Sequence, residues 1–128
     1  MTNDESCIRL AGCRVLLIED EALVAMLLED ALVGVGCEVI GLASRFYDAE
    51  QKAKSLLFDV AVLDINLNGI QTLPIAEALF GRGIPFVFAT GYEVGFLPAH
   101  LQTAPVLQKP FGQHDLRRAL HDALNMKA

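Results

Sequence analysis

Residues 60–69 read VAVLDINLNG: four apolar residues, an aspartate, then a turn-forming run that closes on Asn68–Gly69. A continuous apolar run bounded by turn signals suits a strand covered on both faces, as inside a parallel sheet. Three further runs share this character: VLLI at 15–18, FVFA at 86–89 and VLQ at 106–108. CEVIGL at 37–42 is a weaker fifth strand, edge-like because it carries Glu38 and Gly41. Between them lie helical patterns. One covers 21–33 and stops at Gly34–Val35–Gly36, and a second runs from an N-cap at Ser44 to about Leu57. A third has Pro74 near its start and ends at Gly81–Arg82–Gly83. The last, 114–126, sets Leu116, Ala119, Leu120, Ala123 and Leu124 on one face.

Strand and helix therefore alternate, which predicts an α/β domain: a doubly wound five-stranded parallel sheet with helices on both faces and right-handed crossovers. Between 93 and 104, Gly95, Pro98 and Ala104–Pro105 leave room only for a short or irregular helix. The domain is expected to span 13–128, with 1–12 as an N-terminal extension.

The chain has 128 residues, enough for one domain with a real core, and 53% hydrophobic against 20% charged residues excludes disorder. A formal net charge of −6 argues against nucleic acid as a partner, since phosphate binding needs clustered Lys and Arg. No apolar run approaches the roughly 20 residues of a membrane span, and Met1–Ser6 is polar and acidic rather than the basic start of a signal peptide. A cytoplasmic protein with no membrane partner is expected. Cys7, Cys13 and Cys37 lack CxxC or Cys/His zinc spacing and read as reduced thiols, some filling core volume. His100, His114 and His121 form no HExxH motif, and the last two are expected to be solvated.

In open α/β sheets, ligands bind outside the carboxyl ends of the strands. The polar residues there are Glu19–Asp20, with Glu21 next, then Asp64, Thr90 and Lys109–Pro110. Three carboxylates gathered at one edge repel and raise one another's pKa, a conflict that a bound divalent cation removes. Oxygen ligands of this kind suit Mg²⁺. Asp64 is then a candidate nucleophile that becomes an aspartyl phosphate. Lys109 would hold one phosphoryl oxygen and Thr90 another, with the Asn66 carbonyl offered to the metal.

Together, LLIEDE (16–21), VLDINLNG (62–69), FATG (88–91) and QKPF (108–111) resemble the response-regulator receiver domain of bacterial two-component signalling. The resemblance implies a flavodoxin-like sheet of order 2-1-3-4-5. It also implies Asp64 as phosphoacceptor, Asp20 as a direct metal ligand, Glu19 as one through water, and Asn66 as a carbonyl ligand. Thr90 becomes the switch hydroxyl, and Lys109, before a cis Pro110, the contact to the phosphoryl group. PFVFATGY at 85–92 is similar to the "FAT GUY" receivers, mostly stand-alone and often in general stress signalling. The implied partners are a histidine kinase or histidine phosphotransfer protein and a downstream protein partner. The last strand and helix could also pair two copies as a homodimer.

One departure stands out. Most receivers carry Tyr or Phe three residues before the lysine, where this chain has Val106. Tyr92, two residues past Thr90, is the candidate replacement switch, and with Asn66 it would flank the path of water to an acyl phosphate. Two other functions compete: a pseudo-receiver that binds without being phosphorylated, and a Mg²⁺-dependent aspartyl-phosphate phosphatase. The latter needs an acid two residues after its nucleophile, where this chain has Asn66.

Overall fold

Every one of the apolar runs becomes a strand of a single sheet in the computed structural model, which describes residues 10–91 and 97–125. The elements are β1 (Arg14–Ile18), α1 (Ala22–Gly34), β2 (Glu38–Ala43), α2 (Phe46–Ser55), β3 (Val60–Leu63), β4 (Asn66–Leu67), β5 (Ile70–Gln71), α3 (Leu73–Arg82), β6 (Phe86–Thr90), β7 (Val106–Gln108) and α4 (Gln113–Asn125). The five-stranded sheet has the order β2-β1-β3-β6-β7 and is parallel throughout. β4 and β5 form a separate antiparallel hairpin.

Side chains alternate across each strand, so the central strands feed two cores. Val15, Leu17, Val60 and Val62 pack with Leu28 and Leu32 of α1 and Leu116 and Leu120 of α4. Leu16, Ile18, Ala61 and Leu63 pack on the opposite face with Ala49 and Ala53 of α2 and Ile75 and Leu79 of α3. Both faces are covered, which is why β1 and β3 read as unbroken apolar runs. β2 lies at the sheet edge, as Glu38 and Gly41 led us to expect. Its register slips between Val15 and Leu16, and Gly41 sits where a Cβ would come within 3.1 Å of Leu56 and 3.2 Å of Leu16.

Helix ends mostly follow the glycine signals, and Gly83 takes the left-handed conformation (φ 71°) that closes α3. Ser44 is not the cap of α2. Arg45 holds that position without a side-chain cap bond, and the Ser44 carbonyl instead accepts from Asn68 Nδ2 at 3.2 Å. Leu10, placed by the sequence in the extension, is buried in the core beside β1. His114 is exposed, whereas His121 is half-buried. Residues 97–104 form successive turns rather than a regular helix, with Leu101 N donating to Pro98 O at 2.9 Å and buried Leu97 and Leu101 anchoring the segment to the α2/α3 core. Among the described residues, no helix is long and apolar enough to cross a membrane.

Truncating a fully buried strand residue leaves a cavity between the sheet and its helices. Leu16→Ala (0% exposed) is therefore expected to cost about 2–5 kcal/mol in urea unfolding. Leu23→Ala, on the outer face of α1 at 68% exposed, should stay within about 0.5 kcal/mol.

Candidate functional site

The sheet ladder runs past the ends of its strands and thereby fixes the site. Glu19 N donates to Ala43 O and Asp64 N to Ile18 O, both at 3.0 Å, so these acids leave neighbouring strands side by side. Lys109 N donates to Thr90 O at 3.0 Å, which joins the other two site residues in the same way. The Lys109–Pro110 peptide is cis.

One carboxylate oxygen from each of Glu19, Asp20 and Asp64 lies within 4.8 Å of the others. Glu19 and Asp64 are buried, at 1% and 7% exposed, and Asp20 is half-buried. Lys109 Nζ reaches between two of them, 2.7 Å from Glu19 Oε1 and 3.1 Å from Asp64 Oδ2. Burial pushes the Glu19 carboxyl above its ordinary range, and the opposing hydrogen bond and charge of Lys109 do not cancel that effect. For Lys109, burial alone would lower the pKa. Its hydrogen bonds to Glu19 and Asp64, with their charges, outweigh burial and hold the ammonium above the usual lysine range. Both partners of one ion pair thus shift upward, because the glutamate's desolvation exceeds what a single shared ammonium returns.

The chain after Asp64 folds back over this cluster. Asn68 (φ 51°) and Gly69 (φ 86°) both take left-handed conformations, the geometry of a two-residue hairpin turn for which Asn-Gly is suited. The hairpin is tied to the acids at several points. Asn66 N donates to Asp64 Oδ1 at 3.2 Å, and Asn68 N donates to Asp20 Oδ2 at 2.9 Å. Buried Thr72 donates through Oγ1 to the Asp64 carbonyl at 2.7 Å and through its backbone N–H to Ile65 O at 2.7 Å.

Six of the seven residues singled out from sequence fall in the described chain, at this edge: Glu19, Asp20, Asp64, Asn66, Thr90 and Lys109. Thr90 is fully buried at the end of β6. Tyr92 lies outside the described residues. Sequence reasoning missed Asn68 and Thr72. The Asn-Gly pair signalled the turn that Asn68 occupies, and Thr72 just ahead of Leu73–Pro74 signalled a helix start, but neither pointed to its carboxylate or carbonyl partner. The donor set is entirely oxygen, two of its members are buried, and two of the three clustered carboxyl groups pair with one ammonium. That combination fits a hard divalent cation such as Mg²⁺.

Removing the ammonium strands two buried carboxylates. Lys109→Ala is expected to destabilise the metal-free protein by about 3 kcal/mol in urea titrations. Asp64→Asn removes one of three crowded carboxylates and should leave the metal-free protein at least as stable as the parent.

Residues 15–121 match the family described as the response regulator receiver domain. Among curated relatives, the chemotaxis protein CheY of Thermotoga maritima is 37% identical over 65 residues, covering 48% of this chain and 54% of that protein. The phyllosphere-induced regulator PhyR of Methylorubrum extorquens is 30% identical over 117 residues, covering 86% of this chain and 43% of that one. The chain thus spans about half the length of each of these two proteins. Among solved structures, SdrG from Sphingomonas melonis Fr1 superposes with a TM-score of 0.77 at 36% identity, covering 91% of this chain and 99% of that one. The flavodoxin-like order, the acidic edge and the match over most of its length agree: this chain belongs to the response regulator receiver family.

Proposed function

We propose that this receiver accepts a phosphoryl group on Asp64 from a phosphorylated histidine of a kinase or phosphotransfer protein. We propose further that it signals by contact with a downstream protein or passes the phosphate on. The observation that carries the reading is the placement of Lys109 Nζ, 3.1 Å from Asp64 Oδ2 within a cluster of three carboxylates. A structural ion pair needs one carboxylate; clustering three beside one ammonium that pairs with two of them serves a ligand that brings positive charge or takes up negative charge.

In the transfer, an Asp64 carboxylate oxygen attacks phosphorus. The new O–P bond forms as the N–P bond breaks, and the electron pair leaves with the imidazole nitrogen. Lys109 exchanges part of its carboxylate contact for a phosphoryl oxygen, and Thr90, at the end of the neighbouring strand, would donate its hydroxyl to another. Glu19, Asp20, Asp64 and the Asn66 carbonyl would hold Mg²⁺, which supplies positive charge against the phosphoryl oxygens. The N–H groups of Asn66 and Asn68 steady Asp64 and Asp20, so the acids enter the reaction already oriented. Asn66 and Tyr92 are assigned the control of phosphate lifetime, and Tyr92 the switch role that Val106 cannot fill. The receiver is assigned to 13–128, with Leu10 of the preceding extension packed into its core.

Incubation with acetyl phosphate and Mg²⁺ should add one phosphoryl group by intact mass, lost in Asp64→Asn and with EDTA. A parent that gains none would mark the chain as a pseudo-receiver binding module. Lys109→Ala and Thr90→Ala should slow the gain, and Tyr92→Ala should hasten phosphate loss. At a hundred times its Kd, Mg²⁺ should stabilise the parent by about 2.7 kcal/mol, read as a rise in Tm. Asp20→Asn should remove most of that rise.

A further inference from the structure

Cys13 and Cys37 stand immediately ahead of β1 and β2, and the register of those strands, Arg14 beside Glu38, sets the two cysteines next to each other. Glu38 N donates to Cys13 O at 2.8 Å, so the ladder reaches them. Both belong to the core beneath α1 and α4, with 6% and 5% exposure, and their side chains therefore share one face of the sheet. Neighbouring strands lie about 4.8 Å apart, inside the Cα separation of about 4.4–6.8 Å that a disulfide accepts. The two thiols are free, and each lies close enough to perturb the other's titration. Core packing accounts for a small apolar side chain at each position, but alanine or valine would serve that purpose without bringing two sulfurs together.

We propose that Cys13 and Cys37 form a redox site, a dithiol that a peroxide oxidises to an intramolecular disulfide and a thiol reductant restores. The Cys37 sulfur attacks one peroxide oxygen. The O–O bond breaks, the thiol proton leaves with the departing oxygen as water, and a sulfenic acid forms. The Cys13 sulfur then attacks that sulfur, the S–O bond breaks, and a second water departs with the Cys13 proton. Two thiols lose two electrons in all, and the peroxide gains them. Cys37 is assigned the attack because the neighbouring Cys13, aided by the Arg117 charge, holds its thiol below the usual range despite burial. The proximity of Cys37, together with burial, pushes Cys13 upward.

The Leu10–Gly12 turn borders the pair: Cys13 N donates to Leu10 O at 3.0 Å and Gly12 N to Gly36 O at 2.8 Å, and the oxidant would enter where these bonds part. The disulfide would tie edge strand β2 to β1 and close a loop around α1, at the end of β1 away from Glu19.

The test uses the full chain carrying Cys7→Ser, treated with hydrogen peroxide, unfolded, alkylated and mapped by mass spectrometry. Expected are a linked peptide pair joining Cys13 to Cys37, recovery of both thiols in dithiothreitol, and a higher urea midpoint for the oxidised form. Cys37→Ala in the same background should abolish the link. Two fully alkylatable thiols after treatment, or sulfinic acid at Cys37 without a link, would overturn the proposal. Mapping the chain with both cysteines in place gives the answer even if the alanine variant folds poorly.

Discussion

Two buried carboxylates, Glu19 and Asp64, share the single ammonium of Lys109, and the topology makes that sharing unavoidable. β1 and β3 are neighbours in the sheet, so the acids that follow them emerge together. β7 lies beyond β6 on the same side and delivers the lysine to the same edge. An ion pair of this kind adds little net stability, because desolvation consumes most of the Coulombic gain. Its importance lies in what it leaves unbalanced. Asp20 adds a third carboxylate within 4.8 Å, and the cluster is poised to take up a cation, or to convert one acid into a group whose charge the lysine can meet.

The fold was largely legible because burial on both faces forces a continuous apolar run, and four such runs with a weaker edge strand are hard to read as anything but a parallel sheet. Glu19, Asp20, Asp64, Thr90 and Lys109 were legible for a related reason: each stands within two residues of the end of an apolar run, where no amphipathic pattern calls for a polar group. What was not legible depends on contacts between residues distant in the chain. Ser44 has the chemistry of a cap, yet its carbonyl is turned to Asn68, and α2 begins after Arg45. The Asn68 bond to Asp20 spans 48 residues, and no local pattern announces it. Cys13 and Cys37 fit no spacing motif, because it is the pairing of β1 with β2 that brings them together.

β1 links the two ends of the molecule. Its five residues extend about 17 Å, from Cys13 at one end to Glu19 at the other, and the rigid core on both faces separates the sulfurs from the acids.

The central claim is chemical: one named oxygen acquires phosphorus. Borohydride trapping tests it most directly, because the hydride reduces an aspartyl phosphate to homoserine and leaves a free carboxylate untouched. After phosphorylation in Mg²⁺ and reduction, peptide mass spectrometry should find homoserine at position 64 and nowhere else. Aspartate intact at 64 beside homoserine at another acid, or in a chain that carries phosphate on a different residue type, would contradict the account.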